Sequence, residues 1–86
     1  MDTERTNITR EVGSRIRYAR KSRGMSMDEL AQAIYKTRSA ISKYENGQIS
    51  VDIATLYDIA NALKVSIYDL LHRNTPDIGQ EYNAEV

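Results

Sequence analysis

The 86-residue sequence has no cysteine, no tryptophan and no phenylalanine, and only one proline and four glycines. Without cysteine there can be no disulfide framework, zinc–thiolate site or thiol nucleophile, a pattern that fits a reducing compartment. No apolar run approaches the length of a membrane span, and no charged-then-apolar leader opens the chain, so a cytoplasmic protein is expected. Nothing pairs a nucleophile with a base, no glycine-rich phosphate loop follows a strand, and no ligand cluster has metal spacing. No enzymatic activity and no cofactor are therefore expected. Net charge is also lacking, since twelve Lys and Arg balance twelve Asp and Glu. The balance hides a division along the chain. Residues 10–43 carry nine cations against three carboxylates, whereas residues 44–86 carry two against seven. Such asymmetry points to a polyanion-binding face in one half and a solubilising or partner-binding remainder.

What is present is organised around residues 26–47, SMDELAQAIYKTRSAISKYENG. Ser26 and Glu29 form an S-x-x-E pattern in which the hydroxyl caps a helix amide and the carboxylate reaches back to the amide of the cap. A helix therefore starts near Met27, with Leu30, Ala31 and Ile34 as a narrow apolar face, and ends near Ile34 or Tyr35. Thr37 is a favoured N-cap type and Asn46-Gly47 a C-terminal stop, which predicts a second helix over about residues 38–45. At about 100° per residue, Arg38, Ser39, Ser42, Lys43 and Asn46 share one side of it, and Ala40, Ile41, Tyr44 and Glu45 the other. A two-turn helix with so small an apolar face needs neighbours to hold it. Two helices joined by a very short turn, the second presenting Arg, Ser, Ser and Lys, have the geometry that sets side chains against base edges in a major groove.

Residues 1–8 show little periodicity and are expected to form a flexible arm. Asn7 or Thr9 can cap a first helix to about Arg23, with Val12, Ile16 and Ala19 buried and Gly24 as its stop. Gly13 inside that helix costs up to about 1 kcal/mol relative to Ala, which marks a close approach of another backbone. Arg15, Arg17, Lys21 and Arg23 on the same helix can contact phosphate or simply face water. Asp52 caps a fourth helix to about Lys64, with Ile53, Leu56, Ala60 and Leu63 inward and Tyr57 and Ile59 on the flanks. Ser66 and Asp69 repeat the capping pattern for a fifth helix through Leu71 or His72. The domain thus spans residues 9–72. Residues 74–77, Asn-Thr-Pro-Asp, break structure, and the polar tail over residues 73–86 is expected to be disordered. Single-domain, all-α architecture is the consequence.

These residues carry a family resemblance. VGSRIRYARKSRGMS, DELAQAI, AISKYENG, LYDIANALKV and the pair Leu70-Leu71, in this order and spacing from Val12 to Leu71, resemble a phage repressor/Cro-type helix-turn-helix domain of the xenobiotic-response-element class. The resemblance implies a five-helix repressor-like fold and a sequence-specific regulator of transcription that binds double-stranded DNA, as a homodimer on a two-fold related site. It places Arg38, Ser39, Ser42 and Lys43 at base-reading positions. Ser26, the amide of Met27, Lys36, Tyr44, Asn46 and Gln48 fall at phosphate-contacting ones, and Arg20 with Glu45 at a partly buried ion pair between the first and third helices. Three positions depart from the pattern. Met27 stands where a polar residue is common, Tyr35 where Gly is common at a turn that needs a positive φ, and Val51 where Pro usually follows the third helix.

A protein-interaction module, such as an antitoxin built on the same fold, is the competing reading. It draws on the acidic second half, on Tyr57 and Tyr68, and on Ile78 and Tyr82 in the tail. Salt separates the two, because DNA affinity falls steeply with it and an apolar protein contact does not. Of the six tyrosines, Tyr18, Tyr44, Tyr57 and Tyr68 are expected to pack their rings with the hydroxyl wet. His72 is expected to meet a helix dipole at a C-terminus.

Overall fold

The computed structural model describes residues 3–71, and in these it contains five helices and no strand: α1 (Thr3–Ser22), α2 (Met27–Ala33), α3 (Arg38–Glu45), α4 (Ile53–Leu63) and α5 (Ile67–Leu71). The caps expected for α2 to α5 are present. Ser26 and Glu29 close a reciprocal box, Thr37 Oγ1 accepts from the Ala40 amide at 3.0 Å, and Asp52 Oδ2 accepts from the Thr55 amide at 3.1 Å. At α5, Asp69 Oδ2 accepts from the Ser66 amide at 3.1 Å.

α1 through α4 all terminate alike. A left-handed residue follows each helix, namely Gly24, Tyr35, Gly47 and Lys64. Its amide and the next one turn back onto carbonyls of the last turn, as Gly47 N to Tyr44 O (3.1 Å) and Gln48 N to Lys43 O (2.9 Å) do after α3. The same two bonds form after α2 with Tyr35 N to Gln32 O (3.4 Å) and Lys36 N to Ala31 O (2.9 Å). This ending satisfies carbonyls the helix leaves open, and glycine enters it without the steric cost that a side chain meets.

α1 begins earlier than residues 7–9 predict. The structure carries it back to Thr3, so residues 3–8 are helical rather than an arm. Ile8 lies one turn before Val12 and extends the apolar stripe, while Thr9 is inside the helix, its hydroxyl 3.2 Å from that of Ser50. Glu4 in the first turn opposes the helix dipole favourably. The expectations for His72, the break at 74–77 and the tail lie outside the described residues.

The core is one cluster to which every helix contributes, with Ile16, Leu30, Ile41, Ile59, Leu63 and Leu70 fully enclosed. Each such side chain contributes about 1.5–3 kcal/mol by leaving water. In α4 the inward stripe is Leu56, Ile59, Ala60 and Leu63, so Ile59 is central and Ile53, in the first turn, is 61% exposed. Spacing of three and four from Leu56 selects Ile59 and Ala60 together, and Ile53 overhangs the end of the cluster. Leu71 is likewise exposed where Leu70 is enclosed. Tyr18, Tyr57 and Tyr68 are exposed, against the expectation that they pack.

α1 crosses α3 with backbone close to backbone. A Cβ on Gly13 would collide with the Tyr44 carbonyl oxygen and sit 2.8 Å from that of Glu45, which is the close approach its presence in the helix predicts. One turn earlier, Arg10 lies against Gly47 at the end of α3.

Candidate nucleic-acid interface

α2 and α3 are joined by four residues, Ile34 to Thr37, and the turn among them is tight because Tyr35 adopts φ 59°. α3 buries Ile41, Tyr44 and Glu45 against the core. The opposite side exposes Arg38, Ser39, Lys43 and Asn46, with Ser42 half-buried at the edge. The side chains of Arg38, Ser39 and Lys43 make no hydrogen bond or ion pair to another described residue, and Asn46 Nδ2 donates to Ser42 Oγ at 3.4 Å. Of the six residues between 38 and 46 expected to contact phosphate or base, five therefore form one accessible polar face. Tyr44, also expected at phosphate, is 6% exposed and its ring belongs to the core, in keeping with the packing expected of it. It follows Ile41 by three residues and so shares the inward side.

The other expected phosphate residues lie around that face. Ser26, Lys36 and Gln48 are exposed. The Ser26 amide donates to Glu29 Oε1 at 2.8 Å and its hydroxyl accepts from the Glu29 amide at 3.0 Å, so this residue holds the start of α2 in place. The Met27 side chain packs against the core, which leaves its backbone as the group near the surface. Hydrogen bonds from Thr55, the hydroxyl at 2.6 Å and the amide, hold the Asp52 carboxyl below its usual range, and the charge of Lys36 adds a smaller effect in the same direction.

Behind the face, the Arg20–Glu45 pair forms as the resemblance implies. Arg20 Nε donates to Glu45 Oε2 at 2.6 Å, Nη2 to Oε1 at 3.0 Å, and Nη1 to the Met25 carbonyl at 2.8 Å. The side chains are 7% and 1% exposed. The hydrogen bond to Glu45 raises the guanidinium pKa above its ordinary value, against the opposing effect of desolvation. Two parallel bonds in a fork fix angle as well as distance, so the pair sets how α3 sits on α1.

Residues 16–70 match the model of the helix-turn-helix family. The chain belongs to that family. Two curated relatives share this part of it: a transcriptional regulator encoded in the ATPase CF(0) region of Rhodospirillum rubrum, 36% identical over 61 residues, and the SPbeta prophage-derived HTH-type regulator YonR of Bacillus subtilis, 37% identical over 59. The matches cover 71% and 69% of this chain but 56% and 55% of those proteins, so the chain spans about half the length of the relatives it matches. Among solved structures, the restriction-modification controller protein C.AhdI of Aeromonas hydrophila superposes with a TM-score of 0.74 at 27% identity, over 78% of this chain and 97% of that one. The clp gene regulator ClgR of Corynebacterium glutamicum gives 0.72 at 28% identity, over 74% and 83%.

In this helix-turn-helix domain the cations of α1 do not act together. Arg23 Nη2 donates to the Lys64 carbonyl at 2.8 Å, and Arg15 lines a groove against α5, so both turn toward the end of the chain. Arg17 and Lys21 face water. Arg10 was not singled out by spacing, yet its backbone touches Gly47 beside Asn46 and Gln48, and it is exposed there. Its place three residues before Gly13, on the face that meets α3, is the signal that locates it.

Proposed function

We propose that the chain is a transcriptional regulator that binds double-stranded DNA by laying α3 in the major groove. The outward face of α3, with Arg38, Ser39 and Lys43 exposed and uncommitted to any described residue, carries this reading. Arg38 and Lys43 read guanine edges, a pairing suited to long cationic side chains, while Ser39 and Ser42 reach either base type. Ser26, the Met27 amide, Lys36, Asn46 and Gln48 hold the flanking phosphates, and Arg10 joins them from α1. These contacts fix register and carry no sequence information themselves. Tyr44 enters as a core residue that supports the helix.

The regulator works in the cytoplasm as a homodimer on a two-fold site, because one module of this size binds weakly without a second half-site. Among the described residues no helix is long and apolar enough to cross a membrane. The dimer surface includes the exposed Leu71 and the apolar groove beside it, about 410 Å³, where Ile8, Val12, Val51 and Leu56 meet.

Selection of bound duplexes from a random pool tests the assignment. At the selected site Arg38→Ala and Lys43→Ala each cost about 1–3 kcal/mol and relax preference at one base position, and affinity falls steeply with added salt. Unchanged base preference in both variants would remove α3 as the reading element.

A further inference from the structure

A second polar feature lies away from α3. α1 and α5 leave between them a groove of about 430 Å³, within the size range of pockets that take small ligands. Its lining divides by chemistry. Ala19 and Val65 supply an apolar surface backed by the enclosed Leu70, Tyr18 offers an exposed ring, and Arg15 and Arg23 bring positive charge. Arg15 Nη1 is buried and has no hydrogen-bond partner among the described residues. Asp69 also lines the groove but makes no ion pair with Arg15, its Oδ2 being engaged by the Ser66 amide at 3.1 Å. Arg23 Nη2 is likewise committed, to the Lys64 carbonyl. Two guanidinium groups thus share the groove with a single carboxylate that serves as a helix cap, and one of them lacks an acceptor.

A buried donor without an acceptor forfeits its hydrogen bonds to water and gains nothing in return. A carboxylate corrects this best, since it matches a guanidinium edge to edge. The apolar surface next to Arg15 requires that the anion carry an apolar stem. A free phosphate would need several donors and would leave Ala19 and Val65 uncovered. We propose that the α1–α5 groove is a binding site for a small monocarboxylate with an apolar body, its carboxylate on Arg15 and its stem along Ala19 and Val65. The site is a place for an effector, because α1 also carries Arg20 and Gly13, through which it holds α3.

The test uses the full chain without DNA, at constant ionic strength. Benzoate and hexanoate are titrated against their neutral counterparts benzamide and hexanamide, with thermal stability and the Arg15 Nε–Hε resonance as readouts. Both carboxylates should bind saturably and shift that resonance, and the amides should bind at least tenfold more weakly. Arg15→Gln should lose at least tenfold in carboxylate affinity, Arg15→Lys should keep part of it, and Arg17→Gln, on the same helix, should be unchanged. Equal binding of acids and amides, no saturable binding, or full affinity in Arg15→Gln would each overturn the proposal. Should Arg15→Gln fail to fold, the contrast between acid and amide on the parent chain decides alone. Sedimentation covers the other occupant: if Arg15→Gln alters self-association while no carboxylate binds, the groove belongs to a second copy and the proposal falls. None of these outcomes touches the assignment of α3, which is read with DNA.

Discussion

α3 is held from two sides in two different ways. On the α1 side the contact is dry and rigid, with Gly13 under the carbonyls of Tyr44 and Glu45 and the Arg20–Glu45 fork beside it. On the α2 side the two helices pack through the core, and the link between them is a four-residue turn in which Tyr35 is left-handed and 95% exposed. One side fixes the position of α3 through contacts that tolerate little change. The other limits how far α3 can swing, and does so with a residue whose backbone is strained and whose ring is enclosed by nothing. The position of the base-facing side chains therefore depends more on α1, which lies behind α3, than on the turn for which the motif is named.

The strongest way to break that contrast is to strand a charge on the α1 side. Glu45→Ala leaves Arg20 with the Met25 carbonyl as its remaining partner, and should cost about 3–5 kcal/mol in chemical denaturation. Arg20→Met combined with Glu45→Leu should fold nearly as well as the parent, since apolar replacement of both partners removes the desolvation cost with the pair. DNA affinity should still drop in the double variant, because the fork no longer sets the angle of α3. A double-mutant cycle without coupling would show that the pair does not hold the helix.

Gly13→Ala should follow, at about 1–3 kcal/mol of destabilisation from overpacking, even though alanine favours a helix by up to about 1 kcal/mol. The neighbouring atoms are backbone and cannot turn aside. A neutral or more stable variant would mean that α1 and α3 separate easily, and the contrast would be lost. The smallest effect belongs to the other side. Tyr35→Gly should raise stability by about 1 kcal/mol, the order of the left-handed penalty for a residue with a side chain. A loss of stability, seen as a lower denaturation midpoint, would mean that the ring makes a contact its exposure conceals.

Much of this arrangement is legible from single residues. Ser26 with Glu29, Thr37, Asn46-Gly47 and Asp52 state where α2, α3 and α4 begin or end, because capping is local chemistry between neighbours. The interior glycine of α1 foretells its contact with α3. The start of α1 is not legible from caps, since Thr3, Thr6, Asn7 and Thr9 are all cap types within a few residues of one another. Ile53 and Ile59 are equivalent in composition and differ only in where the other helices stop. Arg10 needs the fold as well, because its neighbour Gly47 is distant in sequence. The site thus divides by range. Its outward face follows from the period of one helix, and its support depends on crossings between helices.

The ties that α1 makes also bear on the order of folding. Arg23 to the Lys64 carbonyl and Thr9 to Ser50 each span 41 residues, and α1 packs on α3, α4 and α5. α2 and α3 meet across a short loop and can associate early, because closing a small loop costs less entropy than closing a large one. α1 leaves the ribosome before any of them, yet Ile16 and Ala19 cannot reach their full surroundings until Leu70 has been made. Of the five helices, α1 is consequently the one that waits longest, with its apolar stripe uncovered, for the others to close around it.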